Sequence, residues 1–493
     1  MRLGDLLRSI SNVRWDKRYG DCPVGMLSCD SREEQPDGLF VALSGPAFNG
    51  TDFIKDAIAR GAAMVAKTGG GREVGDYRIA DKIALIDVQD PKVFLRQAAL
   101  LFYGRPSSKA QTIGITGTNG KTTVTYVLES IIHAAQKTCG VIGTINHRIG
   151  GHVLPSKNTT PGFLENQRYL AQLADLKAQF CVMEVSSHAL DQSRVDGIDF
   201  AAGIFTNLTQ DHLDYHKTMD NYFQAKSLLF TGLSHAAAAI INSDDDHGRR
   251  LTALSRGRIM TYGIDSSAQV RAQNIQYSLN GTRFDMVFPG GVAPVHTRLI
   301  GRHNVYNILA GAACAYSLGL SWPFIAQGIK TLKQVPGRLE PVQGPQDFFV
   351  FIDYAHTEDG LVNVLNALRA VSRDKIIVVF GCGGDRDRGK RPKMGAAVCA
   401  LADHAIVTSD NPRSEGPQAI IDEIAAGFTK NNFEMCVDRR AAIIKALKMA
   451  KKGNIVLLAG KGHEDYQVLK EGRVPFDERK IVQEYLGVHA CSS

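Results

Sequence analysis

The segment Gly114-Ile115-Thr116-Gly117-Thr118-Asn119-Gly120-Lys121-Thr122-Thr123 carries the plainest chemistry in the chain. Glycines let a backbone curl so that successive N–H groups point at one anion. A helix N-terminus adds partial positive charge, Lys121 a full one, and the Thr122 hydroxyl suits a magnesium ion. These residues form a cradle for the phosphates of a nucleoside triphosphate. The strict G-x4-G-K-[ST] spelling is not met, because Ile115 stands five before Gly120 and the glycines fall at 114 and 117. Downstream, Val124, Val127, Leu128, Ile131, Ile132 and Ala135 recur at helical spacing, so a helix is expected to open directly after the loop.

Other polar residues end apolar runs. Glu184 closes the run Phe180–Val185 and precedes Ser186-Ser187-His188. In open α/β sheets ligands bind beyond the carboxyl ends of strands. A carboxylate there can hold magnesium opposite the phosphate-loop threonine, or simply end a strand. The stretch from Thr206 to Asp214 gathers metal-competent side chains, His212 among them, at the same edge. Lys226, within Asn221–Phe230, reads most simply as a surface lysine. Gly301-Arg302-His303-Asn304 and Asp353-Tyr354-Ala355-His356 fit capping and turn chemistry, and equally an adenine or ribose edge held between two domains. In the glycine-rich Phe380–Arg391 segment Arg386 occupies the place of a third glycine, so the dinucleotide fingerprint fails. Its basic run suits a solvated face or carboxylate recognition.

The elements that must position these groups follow from texture. A length of 493 residues is enough for about three ordinary domains. With 44% apolar and 22% charged residues, the composition is that of a soluble globular protein. A net charge of +7 does not argue for nucleic acid. Nine cysteines include no C-x-x-C pair and read as free thiols. No apolar run is long enough to span a membrane, and Met1–Arg8 is too broken by charge for a signal peptide, so a cytoplasmic protein is expected. Residues 1–108 alternate short strands with a helix expected over Asp52–Arg60. Residues 109–335 repeat strand and helix, with strands at Thr112–Thr116, Phe180–Val185, Gly203–Asn207 and Ala238–Asn242. After a Val335-Pro336-Gly337-Arg338 turn, residues 336–493 carry strands at Phe348–Tyr354, Lys375–Gly381, His404–Thr408 and Asn454–Ala459.

In their order, the phosphate loop, the Glu184 strand, Asn207–Asp214, Gly301–Asn304, Gly337-Arg338 and Asp353–His356 resemble the Mur ligase superfamily of ATP-dependent amide-forming enzymes. Cys29-Asp30-Ser31-Arg32, Asn158-Thr159-Thr160-Pro161, Glu184–His188 and Gln192-Ser193-Arg194 are similar to its MurE branch, which extends the UDP-N-acetylmuramoyl peptide of bacterial cell walls.

The resemblance implies an α/β fold of three domains. A central P-loop ATPase domain with a parallel sheet would be flanked by an N-terminal UDP-binding domain and a C-terminal Rossmann-like domain. It implies ATP and Mg2+ as cofactors, with ATP on Gly117, Thr118, Asn119, Gly120, Lys121, Thr122, Thr123, Asn304, Arg338 and Asp353. Metal would be held by Thr122, Glu184, His212 and a carbamylated Lys226; Lys121, Lys226 and His212 would be catalytic. UDP-N-acetylmuramoyl-L-alanyl-D-glutamate would meet Ser31, Thr159, Thr160, Ser186, Gln192 and Arg194.

Asp410-Asn411-Pro412-Arg413 matches the motif of relatives that add meso-diaminopimelate. That substrate carries a distal carboxylate which the Arg413 fork, aided by Arg386, can bind and which lysine lacks. Asp410 and Glu464 would take the ammonium, with Gly460 allowing close approach. A monomer without nucleic-acid or membrane partners is expected. L-lysine as substrate, a folylpolyglutamate-synthetase-like ligase and an ATP-binding regulatory protein are the alternatives.

Overall fold

The structure, a computed structural model, describes residues 1–45 and 48–487. It contains three principal sheets. The N-terminal one orders its strands Val13–Trp15, Ala84–Val88, Ala62–Lys67, Gly38–Val41 and Met26–Ser28, parallel except for the first. The expected helix begins as a 3-10 turn, Gly50–Phe53, and becomes α-helical over Ile54–Ala59.

The middle sheet has eleven strands. Its parallel centre runs Cys139–Ile142, Phe180–Glu184, Gln111–Thr116, Phe200–Phe205, Ala238–Asn242 and Arg258–Gly263. Phe180–Glu184 and Ala238–Asn242 are buried along their whole length, which is why they read as continuous apolar runs. Gln111–Thr116 lies between Phe180–Glu184 and Phe200–Phe205, with Ile115 opposite Glu184 and Thr116 opposite Phe205. That register places Glu184 and Asn207 on either side of the phosphate loop. Where simple strand–helix alternation is expected through residue 335, the sheet instead continues through Val270–Ser278, Gly281–Phe288 and Gly291–Thr297, the last two pairings antiparallel. These strands bury one face only and so carry a diluted pattern of alternation.

The C-terminal sheet orders Glu340–Pro341, Phe349–Asp353, Ile455–Ala459, Ile376–Phe380, His404–Thr408 and Phe433–Cys436, parallel but for its first edge. The carboxyl ends of its central strands share one edge, so the loops beginning at 354, 381, 409 and 460 meet there. A hairpin, Tyr466–Leu469 with Gly472–Pro475, docks on the loop after Thr408: Val468 N–H bonds Asn411 Oδ1 at 2.9 Å and Gln467 Nε2 bonds the Asp410 carbonyl at 2.6 Å. Eight cysteines among the described residues are free.

Candidate active site

The phosphate loop curls as its glycines allow. Gly117 has φ +144° and Gly120 φ +90°; a Cβ on either would lie 1.8 Å from Thr206 Oγ1 or 2.3 Å from Asn307 Oδ1. Only glycine fits. Lys121 opens the helix Lys121–Ala134 and folds back to donate to the Gly117 and Thr118 carbonyls, each at 2.9 Å. Lys226 donates to that same Gly117 carbonyl at 2.8 Å, its ammonium 4.4 Å over the Tyr222 ring. It is 2% exposed, and burial together with Lys121 pushes its ammonium well below the usual range. Sequence reasoning places Lys226 on the surface. The signal against that is its position in the apolar stripe Tyr222, Lys226, Leu229 and Phe230 of the helix Met219–Thr231.

Glu184 is buried, and its carboxylate accepts from Thr122 Oγ1 (3.0 Å), Thr144 Oγ1 (2.9 Å) and Thr144 N–H (2.9 Å). Thr144, forty residues away in sequence, is absent from the sequence reading. Arg338 reaches in from beyond the middle sheet: Nη2 lies 3.2 Å from Thr122 Oγ1, the guanidinium 4.9 Å over the Tyr354 ring, and Nε is buried without a partner. A hydroxyl, a carboxylate and an unpartnered guanidinium N–H beside a glycine cradle suit a hydrated hard cation with phosphate oxygens. Among the described residues no three His, Cys, Asp or Glu side chains converge into a metal cage. His212 stands beside Asp211 at 3.4 Å, and 46% of its side chain touches solvent in the open cleft. Burial on its walls, against the pull of Asp211, pushes the imidazole down to about 4, so it is neutral at pH 7.

A cavity of about 290 Å³ adjoins the loop, lined by Asn119, Gly120 and Thr123 and by Asn304, Arg338, Asp353 and Tyr354. Asn304 is occupied, donating to the Ile300 carbonyl at 2.8 Å and accepting from Asn307 at 3.1 Å. Asp353 accepts Leu339 N–H at 2.6 Å and Ala355 N–H at 2.7 Å. Both therefore shape the wall through neighbouring backbone, and Arg338 keeps its donors available. Asp359, in the first turn of the helix Glu358–Val371, ties the C-terminal domain to the loop by accepting from Asn119 Nδ2 at 2.7 Å and Thr209 Oγ1 at 3.3 Å.

A second cavity of about 570 Å³ lies between the middle and C-terminal domains. His188, Asp211 and His212 face His356, Arg386, Asp410, Asn411, Arg413, Gly460 and Glu464 across it. Pro412 is buried outside it, its carbonyl packed on Gly384. Arg413 has φ +55° and donates through Nη1 to the Gly384 carbonyl at 2.7 Å. The basic run divides. Arg386 lines the cavity, Arg388 pairs with Glu423, and the fully buried Arg391 bridges Glu415 and Glu423. Behind the wall lies Lys461, 0% exposed and unmarked by the sequence reading, on Asp410, Asn411 and Glu464.

On the other flank, Thr160 Oγ1 donates to the Glu184 carbonyl at 2.8 Å and accepts Ser186 N–H at 3.0 Å. Arg194 bonds Gln192 Oε1 at 2.6 Å and the Thr160 carbonyl at 3.1 Å, and the Thr159 and Thr144 hydroxyl oxygens lie 3.1 Å apart. These five residues form one patch, in which the Thr160 side chain is internal. Ser31 lies in the turn after Met26–Ser28, which Arg168 of the middle domain grips through Glu33 at 2.7 Å and the Leu27 carbonyl at 2.6 Å.

Comparison with known proteins matches residues 23–103 to "Mur ligase family, catalytic domain", 115–315 to "Mur ligase middle domain" and 337–462 to "Mur ligase, glutamate ligase domain". A Geobacter metallireducens protein named UDP-N-acetylmuramoyl-L-alanyl-D-glutamate–2,6-diaminopimelate ligase is 43% identical over 506 residues, covering 98% of each chain. The chain belongs to the Mur ligase family. A solved structure of a ligase with that same name is 31% identical, with a TM-score of 0.68 over 99% of this chain and 100% of its own. Mycobacterium tuberculosis folylpolyglutamate synthase, solved with ADP, shares the Mur ligase fold at 20% identity, with a TM-score of 0.63 over 75% of this chain and 92% of its own.

Proposed function

We propose that this Mur ligase joins meso-2,6-diaminopimelate to the D-glutamyl γ-carboxylate of UDP-N-acetylmuramoyl-L-alanyl-D-glutamate, using ATP. The observation that carries the reading is the convergence of Arg386, Asp410, Asn411, Arg413, Gly460 and Glu464 on the cavity that His212 also lines. Residues 1–108 hold the uridine diphosphate end at Ser31, residues 109–335 hold ATP, and residues 336–493 hold the amino acid. Thr159, Ser186, Gln192 and Arg194 offer the patch for the sugar-peptide.

The γ-carboxylate attacks the γ-phosphorus of ATP, ADP departs, and an acyl phosphate remains. Lys121 and Arg338 bring positive charge to the transferring phosphoryl group. Thr122 and Glu184 would hold magnesium, with a carbamylated Lys226 and neutral His212 as further oxygen and nitrogen donors; when bound, the ion supplies charge neutralisation at the phosphates. The diaminopimelate amine then attacks the acyl carbon and inorganic phosphate leaves. We assign the amine's proton to His356. The Tyr354 carbonyl, 2.8 Å from its Nδ1, holds the ring proton there and leaves Nε2 with a lone pair. Asp359 holds the C-terminal domain against the phosphate loop through Asn119 and Thr209, and further closure of that domain would exclude water from the acyl phosphate. No helix among the described residues is long and apolar enough to cross a membrane, and we place the enzyme in the cytoplasm, working as a monomer.

Phosphate release with ATP, magnesium and the UDP-muramoyl dipeptide, with meso-diaminopimelate or L-lysine added in parallel, tests the reading. Stimulation by diaminopimelate alone is expected. Stimulation by lysine would keep the ligase and sink its specificity. Silence with both would leave an ATP-binding protein without the activity.

A further inference from the structure

Lys461 follows the strand Ile455–Ala459 and is 0% exposed. A lysine side chain with no access to water has a high desolvation penalty and persists only where partners surround its charge. Its Nζ lies 2.9 Å from Asn411 Oδ1, 3.2 Å from Asp410 Oδ1 and 3.4 Å from Glu464 Oε2. No other lysine or arginine lies within salt-bridge distance of Asp410 or Glu464 among the described residues. Arg439, the nearest alternative, is committed to Glu478 at 2.8 Å and the Ala459 carbonyl at 2.8 Å.

The contacts do two things. Asn411 Oδ1 takes both Lys461 Nζ and Val468 N–H, so its amide is fixed with Nδ2 toward Glu464 Oε2 at 2.9 Å. That leaves Glu464 Oε1 without a hydrogen-bond partner among the described residues. The cavity wall here carries Asp410 and Glu464 against Arg386 and Arg413, and Lys461 behind it adds one positive charge in contact with both carboxylates. Burial alone would raise the Asp410 carboxyl; Lys461 and, farther off, Arg439 hold it below the usual carboxylate range. The distal end of diaminopimelate is itself neutral, one carboxylate and one ammonium, whereas that of lysine is a cation.

We propose that Lys461 is a specificity-determining positioning residue: from behind the wall it sets the Asn411 amide and neutralises one of two carboxylates, so that the site selects a distal zwitterion over a distal cation. Without it the wall is more negative by one charge and favours lysine. This inference rests on the diaminopimelate reading above.

The test is the ratio of kcat/KM for meso-diaminopimelate to that for L-lysine, measured in the full-length wild type, Lys461→Met and the double variant Lys461→Met/Glu464→Gln. The ratio falls roughly tenfold or more in Lys461→Met, as one uncompensated charge at close range requires. It recovers most of that loss in the double variant, whose wall carries the wild-type net charge again, even though absolute activity stays low. The KM for ATP is unchanged throughout. Should Lys461→Met not be recovered folded, Lys461→Gln, which keeps a donor for Asn411 but no charge, carries the same expectation. An equal loss against both amino acids, or a double variant no more selective than the single one, overturns the role of Lys461. A wild type that is silent with both amino acids, or prefers lysine, overturns the diaminopimelate reading instead.

Discussion

Replacing Arg413 by Met keeps the length of the side chain and removes the fork. The structure allows the effect to be sized. One Nη1 proton is committed to the Gly384 carbonyl at 2.7 Å, which leaves the rest of the guanidinium for a bidentate grip on a distal carboxylate. Two charge-assisted hydrogen bonds at about 1.5–3 kcal/mol each set the upper range. The side chain is only half-buried, and solvent screening brings the expected net loss to about 3 kcal/mol, or roughly 100- to 200-fold in kcat/KM for meso-diaminopimelate. Arg413→Lys, which keeps charge without the fork, falls in between. Continuous phosphate-release kinetics at saturating ATP and dipeptide read this directly. Against L-lysine, which has no distal carboxylate, Arg413→Met leaves kcat/KM unchanged or raised. Because Arg413 sits at φ +55° and its N–H bonds the Val468 carbonyl at 3.0 Å, the KM for ATP and the melting temperature serve as controls for a displaced loop. An equal loss against both amino acids, with those controls intact, would refute the assignment of Arg413 to the carboxylate.

Three further outcomes are expected. Lys226 has its ammonium held well below the usual range by burial and Lys121, so between that depressed value and about 10.4 the folded protein binds fewer protons than the unfolded chain and stability rises with pH. The neutral amine is the form that reacts with carbon dioxide; 13C-bicarbonate gives a carbamate resonance that Lys226→Gln abolishes together with activity. Asp359→Ala removes the acceptor for Asn119 and Thr209 and raises the KM for ATP about tenfold, as loss of about 1.5 kcal/mol requires, with a looser scattering profile. Arg439→Met leaves Glu478, 2% exposed, as an uncompensated buried acid, and destabilises the protein by about 3–5 kcal/mol, read by thermal unfolding.

What the sequence made legible was local. The tight loop at Gly117–Gly120 and the helix after it were legible because they depend on residue types at fixed, short spacing, and the buried parallel strands because burial on both faces leaves unbroken apolar runs. Thr144 and Asp359 were not legible, since each acts on a partner far along the chain: Glu184 in one case, Asn119 in the other. Lys226 and Lys461 illustrate the same limit for charge. A buried lysine looks like any other until its acceptors are known, and those of Lys461 come from residues 410, 411 and 464. In the run from Arg386 to Arg391 the sequence singled out Arg386 alone; that Arg388 and Arg391 are structural was not legible, because only the Glu415 and Glu423 side chains determine which are paired. The antiparallel strands from Val270 to Thr297 were missed because one solvated face admits Arg283, Asp285 and His296 among the apolar positions.

The most direct test of the central claim is the mass of the nucleotide product formed by the purified enzyme from ATP, magnesium, the UDP-muramoyl dipeptide and an equimolar mixture of meso-diaminopimelate and L-lysine. The account predicts a single new UDP-muramoyl tripeptide, heavier than the dipeptide by one diaminopimelate residue and formed one for one with ADP. A product heavier by one lysine residue, or ADP formed without any tripeptide, would contradict it.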